Sequence, residues 1–532
     1  MDWNELYNLG LGLFEQASAF FDEALEIKPD PEAFYNQGVA LGNSGRFEEE
    51  LACYDKALEI KPNYHEAWDN RGGALGNLGR FEAALASFDK ALEIKPDYHA
   101  AWYNRGTALL YLGRVEAAIT SFDKALEFKA DNYSAWYNRG VALYDLGLFE
   151  AAVASYNKAL KIKPDFQEAW SNRGNAMNNL GLFELGLASC DKALKIKPDY
   201  HEAWYNRGVA LGNLGRFEEA LASYAKALKI KPDYHEAWSS RGYAMYNLGR
   251  FEGALASCDK ALKIKPDYHG AWFNRGTALL YLRRWEEAIA DYDKALEIKP
   301  DDHEAWLNRG FALGNLGRFE EALASYAKAL KIKPDKDEAW SGRGYAMYNL
   351  GRFEEAIADY DKALEIKPDK DEAWLNRGSA MINLGRWEEA LASYDKALEI
   401  KADFHTSWLN RGSAMINLGR WEEAIASFDK ALEFKPDYHE AWYNRGSAMI
   451  NLGRWEEAIA SCDKALEIKP DYDAAFYNKA CCYALQSQID QAIQNLQQAI
   501  NLTPDKYREM AKTDSDFDSL RSDSRFQALI QE

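Results

Sequence analysis

Long apolar runs are missing from this chain. No stretch approaches the uninterrupted length that a membrane-crossing helix needs, so membrane insertion is not expected. Cysteine is scarce, with six in 532 residues, and its spacing does not suit a disulfide framework. Cys190, Cys258 and Cys462 share one recurring position where most other units carry Tyr or Phe, which reads as a buried core thiol. Cys481 and Cys482 are adjacent and form no CxxC, and a reducing cytoplasm is the expected compartment. Basic charge is in deficit: 64 Lys and Arg face 84 Asp and Glu, a net −20. That balance argues against a partner held by phosphate neutralisation and against an anionic membrane surface. Residues 1–25 carry Asp2 and Glu5 but no Lys or Arg, so the basic region of a secretory signal is lacking. β-Branched residues are sparse beside Ala, Leu, Glu, Lys and Arg, the profile of a helical chain. Linkers rich in Ser and Pro are absent, which leaves no domain boundary before the last 26 residues.

What the chain has is a period. Trp recurs at 68, 102, 136, 170, 204, 238, 272, 306, 340, 374, 408 and 442, always 34 residues apart, and Phe34 and Phe476 extend the series. Pro62, Pro96, Pro164 and Pro198 open a proline series that runs to Pro504, with Ala130 and Ala402 as substitutes. Fourteen full units therefore occupy 31–506, after a shortened repeat or cap in 1–30 and before a capping helix and tail in 507–532. One unit shows the physics. Trp68, Gly72, Leu75 and Gly79 fall at three- and four-residue steps, the face of a first helix. Phe81, Ala84, Leu85, Phe88, Ala91 and Leu92 do the same in a second helix. Gly79 supplies the left-handed residue that ends the first, and Pro96 ends the second. Asp199 is expected to cap the helix that follows it, with Glu202 three residues on. A lone pair of such helices cannot bury its apolar face, so neighbouring pairs must stack. The polar second helix of the last unit (Gln488, Gln491, Gln494, Gln497, Gln498) and an amphipathic helix over 524–531 suit a wettable end.

Trp68, Gly72, Gly79, Phe81, Ala84, Phe88, Ala91 and Pro96, at those spacings, resemble the tetratricopeptide-repeat signature. The 34-residue period separates the chain from the pentatricopeptide family, which has a 35-residue period and an RNA-binding role. The resemblance implies an all-α, right-handed superhelical solenoid whose concave wall is lined by the first helix of each repeat. It also implies a role in protein–protein interaction. The chain departs from the family in carrying Arg where Leu is usual, at 71, 105, 139, 173 and on to Arg445. A guanidinium cannot be buried unpaired, so its head is expected at the groove rim or a nearby carboxylate. Arg283 replaces the turn glycine in one unit and puts that turn in question.

Asn recurs in twelve of the fourteen units: Asn36, Asn70, Asn104, Asn138, Asn172, Asn206, Asn274, Asn308, Asn376, Asn410, Asn444 and Asn478. A second series (Asn43, Asn77, Asn179, Asn213, Asn247, Asn315, Asn349, Asn383, Asn417, Asn451) lies seven residues on. A carboxamide both donates and accepts, so a ladder of them could hold the C=O and N–H groups of an extended peptide. The arrangement is similar to the asparagine ladder in the superhelical repeats of O-GlcNAc transferases, although nothing resembles that family's catalytic domain. The competing reading is that these Asn side chains are solvated helix-surface positions or cap neighbouring repeats. Beside the ladder, Tyr103, Tyr137, Tyr205 and Tyr443 would choose ligand side chains, or else pack repeat on repeat. Tyr144, Tyr243, Tyr246, Phe311, Tyr345 and Tyr348 fall on nearby positions. The Trp series is expected in the core.

Catalytic signatures do not emerge. All eight His share one repeat position, and equivalent points about 8–10 Å apart are too distant for one metal. Residues 514–518 mimic a calcium loop but have Ser519 and Arg525 where Gly and Glu are required. No GxSxG or P-loop occurs. The expectation is a non-enzymatic scaffold, without cofactor or metal, that holds protein or extended peptide. The alternatives are single-stranded nucleic acid along the Arg and Tyr series, which the net charge opposes, and a weakly self-associating array.

Overall fold

The computed structural model describes residues 30–531. Among them every regular element is helical, and fourteen helix pairs follow one another from Pro31–Asn43 with Phe47–Ile60 to Asp473–Leu485 with Ile489–Leu502. The shortened repeat expected in 1–30 lies almost wholly outside the described residues. The chain falls into two compact units, Met1–Asn274 and Arg275–Glu532, within each of which the pairs stack in tandem.

The pair His65–Asn77 and Phe81–Ile94, 13 and 14 residues long, shows how each repeat is built. Gly72 faces the Phe88 ring, and a Cβ there would meet that ring at 2.5 Å. Ala67, Ala84 and Ala91 are completely buried, and small residues at these points let the helix axes approach. Gly79 takes φ 73°, and Arg80 N–H donates back to Leu75 C=O at 2.8 Å, which closes the first helix. Arg283, in doubt from the sequence, adopts φ 58° and keeps the same turn geometry as its glycine equivalents. The Trp series is half-buried rather than sealed in the core. Its indole N–H reaches a carbonyl in the turn that follows the preceding second helix, as Trp68 does to Pro62 at 2.8 Å. Ala130 and Ala402 accept from Trp136 and Trp408 in the same way, so the bond fixes the six-residue spacing and the proline itself is dispensable to it.

Asp199 does not cap its helix. The helix begins at His201, with Tyr200 at the N-cap and no side-chain capping bond. The turn bond from Tyr200 N–H to Lys197 C=O places Asp199 one residue too early. Asn132 and Asp302, one residue later in their own repeats, do cap. At the C-terminal end, Pro504–Thr513, a 3-10 turn over Ser515–Leu520 and Ser524–Gln531 fold onto the last pair. Tyr477, Tyr507, Phe517 and Phe526 form their shared core. Cys190, Cys258 and Cys462 are fully buried, as expected, and burial pushes the Cys190 thiol up to about 12.

Candidate functional site

The asparagine ladder lies on the first helices, and in the first unit its amide hydrogens are already committed. Each carboxamide donates to the residue 35 positions back, on the preceding first helix. Asn70 bonds the Tyr35 hydroxyl at 3.0 Å, Asn104 the Asp69 carboxylate at 3.0 Å and Asn138 the Tyr103 hydroxyl at 3.2 Å. Asn172 bonds the Tyr137 hydroxyl at 3.0 Å, and Asn206 and Asn274 bond the hydroxyls of Ser171 and Ser239. Here the ladder ties repeat to repeat. Asn36, at its start, is exposed.

The second unit differs because its partners differ. Asn410 and Asn444 stand 35 residues after Leu375 and Leu409, which offer no acceptor, so the inter-repeat bond is not made. Asn376 follows Ser341, whose buried hydroxyl has no hydrogen-bond partner. At Asn478 the ladder again reaches the preceding first helix, through Ser447 Oγ at 2.8 Å. A recess of about 220 Å³ opens at this point. Its walls come from three successive first helices, through Tyr348, Ser379, Ile382, Asn383, Asn410, Ser413 and Asn417, and Tyr394 of a second helix contributes too.

The recess is rich in acceptors. Asn383 and Asn417 spend amide hydrogens on the carbonyls of Ser379 and Ser413, each at 2.9 Å. Ser379 and Ser413 spend their hydroxyl hydrogens on Leu375 and Leu409 carbonyls at 3.0 Å. Their side-chain oxygens are left with free lone pairs. The Asn410 carboxamide lies beside the Tyr394 hydroxyl. Such a lining suits groups that bring N–H donors.

The tyrosines beside the ladder are half-buried between repeats. Tyr103 packs on Phe122, Tyr137 on Tyr156 and Phe166, Tyr205 on Tyr224 and Tyr234, and Tyr443 on Tyr472. Desolvation holds the Tyr137 hydroxyl up at about 12. The more exposed rings are Tyr243, Phe311 and Tyr345, together with Tyr111 and Tyr281, which the sequence reading passed over. The signal was present: these two interrupt the second Asn series. Tyr111 is 70% exposed and stacks on Phe81 at 4.6 Å.

The arginines serve the opposite, second-helix side. Arg105 donates from Nε to Asp89 at 2.7 Å, in the preceding repeat, and from Nη1 to Ser121 at 2.8 Å, in its own. Its guanidinium also lies 5.7 Å from the Trp102 ring. The histidines keep to local contacts: His65 Nδ1 sits 2.9 Å from Glu66 and its ring meets the Tyr98 edge. One cluster, Cys481, Asp514 and Asp516, has the proximity of metal ligands, all within 4.8 Å. However, Tyr477 and Cys481 both donate to Asp514, and burial beside carboxylates keeps the thiol well above its ordinary range. A protonated thiol is a poor ligand.

Family models described as tetratricopeptide repeat match residues 31–64, 70–135, 103–165, 137–201, 201–234, 235–268, 273–337, 369–435, 409–473 and 453–513, and one described as TPR repeat matches 344–385. The chain belongs to the tetratricopeptide-repeat family, and its architecture is that of a protein-interaction scaffold. No curated protein matches it. Among solved structures it is similar to YrrB, described as a TPR protein with an unusual peptide-binding site, at 27% identity over 35% of this chain and 95% of YrrB, with a TM-score of 0.32. A tetratricopeptide repeat protein from Parabacteroides merdae is 21% identical over 47% of this chain and 98% of its own, with a TM-score of 0.40. Yeast Tom70 is 16% identical over 85% of this chain and 98% of its own, with a TM-score of 0.33. No helix among the described residues is long and apolar enough to cross a membrane.

Proposed function

We propose that this protein is a non-enzymatic adaptor that holds extended polypeptide segments against its first helices, and that the second unit carries the principal site. The observation that supports this is the recess around Asn410. There Leu375 and Leu409 offer Asn410 and Asn444 no acceptor on the preceding first helix, and side-chain oxygens from three first helices converge. An extended backbone laid across them brings N–H groups at regular spacing to acceptors at regular spacing, while the Asn410 and Asn444 amides answer its carbonyls. The exposed rings of Phe311 and Tyr345 lie in earlier repeats of the same unit and would select ligand side chains. In the first unit the ladder serves cohesion, and Tyr111 and Tyr243 supply the exposed rings. Six free, buried cysteines support a reducing, cytoplasmic setting.

A random peptide library selected against the full chain tests the reading. Selected peptides should lose affinity about a hundredfold or more when Asn376, Asn410 and Asn444 all become Ala, at about 1 kcal/mol per lost hydrogen bond. Equal binding to that variant, with the fold intact, would defeat the proposal.

A further inference from the structure

In eight of the fourteen repeats the second helix carries a Lys three residues before a Glu, and in seven of them the two pair. Lys90 meets Glu93 at 2.6 Å, and Lys396 meets Glu399 at 2.6 Å. Four consecutive repeats of the first unit break this rule. There the Glu is replaced by Lys161, Lys195, Lys229 and Lys263, following Lys158, Lys192, Lys226 and Lys260. All eight ammonium groups are exposed, and among the described residues none forms an ion pair. The following turns carry one Lys and one Asp in each case, as Lys163 and Asp165 do, and these offset each other. The second unit has a single such repeat, Lys328 with Lys331, flanked by repeats that keep Glu297 and Glu365.

Two of the arginines beside this stretch also lose their carboxylate, in alternate repeats, while Arg207 keeps Asp191 at 2.7 Å. Where Arg105 has Asp89, Arg173 has only Asn157, at 2.7 Å. Arg241 has Ala225 at that place and bonds only Ser257, at 2.6 Å. Desolvation without a carboxylate lowers the pKa of both guanidinium groups. The second unit meets the same loss differently: Ala327 removes the Asp, and Arg343 is then gripped by Asp359 at 2.6 Å and 2.7 Å. At Arg241 no such replacement exists.

We infer that this second-helix surface docks an acidic, amphipathic polypeptide segment, whose carboxylates meet the lysines and fill the place beside Arg241. Between Phe183–Ile196 and Phe217–Ile230 lies a groove of about 470 Å³, lined by Lys195, Lys226, Trp204, Leu194 and Arg207, whose guanidinium is already paired with Asp191 at 2.7 Å, so that the two lysines are its uncompensated charges. The exposed Ile196, Ile230 and Ile264 continue the aliphatic track between the ammonium groups. The groove offers one aromatic ring, Trp204, where a single strand needs a succession of rings for its bases to stack on, which favours a polypeptide over nucleic acid. Adjacent second helices about 10 Å apart give the stripe a span of about 30 Å, the length of a helix of about 20 residues. This surface is separate from the ladder and does not depend on it.

The test uses the full chain, a labelled helical peptide of Glu and Leu about 20 residues long, and a single-stranded oligonucleotide of equal charge, read by fluorescence anisotropy. The peptide should bind, and binding should weaken with added salt. Changing Lys161, Lys195, Lys229 and Lys263 to Glu restores the usual pairing, so the fold is kept, and it should weaken binding by about tenfold or more. Ala225→Asp should weaken the peptide by about threefold to tenfold while raising the unfolding midpoint, because Arg241 then has its own carboxylate. Unchanged affinity in the charge-reversed chain would overturn the inference. So would tighter binding of the oligonucleotide, or a concentration-dependent mass abolished by the same substitutions, which would assign the surface to a second copy.

Discussion

Changing Asn104, Asn138, Asn172 and Asn206 together to Ala should loosen the first unit, although Ala is the better helix former. Each substitution removes one inter-repeat hydrogen bond. At about 1 kcal/mol each that is about 4 kcal/mol, against about 2–3 kcal/mol returned by helix propensity. Two of the acceptors left behind, Asp69 and Ser171, are 4% and 0% exposed, so water does not replace the lost donor, and each adds about 1–3 kcal/mol. The net loss is therefore several kcal/mol, concentrated at the interfaces between repeats, where a tandem array comes apart. Hydrogen exchange read helix by helix is the suitable assay, since a long array need not unfold in one step. Protection should fall between His99 and Asn213 and hold in the second unit. The matching change of Asn376, Asn410 and Asn444 removes no bond to a preceding first helix, only the Asn410 contact with Tyr394, and should leave protection close to the parent's. If the first variant is as protected as the parent, or the second is weakened as much as the first, the division of the ladder into a cohesive part and a free part is wrong.

Gly72→Ala and Gly73→Ala should act in opposite directions in a denaturant melt. The first drives a methyl into the Phe88 ring and should cost about 1–3 kcal/mol, whereas the second meets nothing within 4 Å and should gain up to about 1 kcal/mol. Burial raises Asp69 from 3.8 to about 6, so the folded chain binds that proton more tightly than the unfolded one. Its stabilising contribution is full below about pH 4 and is lost as the pH rises through about 6; relative to Asp69→Asn, the parent should lose up to about 3 kcal/mol across that window. A chelator should leave the melting temperature unchanged, because Cys481 holds its proton toward Asp514; a clear drop in EDTA would show that the cluster binds an ion.

The helix pairs were legible because Trp, Gly and Pro each perform one geometric task per repeat, and 34-residue phasing repeats the evidence. The arginine partners were legible only as a class, a nearby carboxylate. Asp89 and Ser121 stand 16 residues either side of Arg105, and only the stacking of second helices around a first helix makes them neighbours. The ladder exposed the opposite weakness. Its twelve Asn look equivalent in the chain, yet their roles are set by the residue 35 positions earlier, Tyr103 beneath Asn138 but Leu375 beneath Asn410. Asp199 failed as a cap because one residue of turn geometry separates it from the N-cap, a shift that composition does not reveal.

The most direct measurement of the central claim is hydrogen exchange of the full chain with and without a library-selected peptide at saturation. The account predicts new protection in the first helices Asp371–Asn383 and His405–Asn417, around Ser379, Asn383 and Ser413, and its loss in the variant lacking Asn376, Asn410 and Asn444. Protection confined to second helices, or protection in those first helices that survives in the variant, would contradict it.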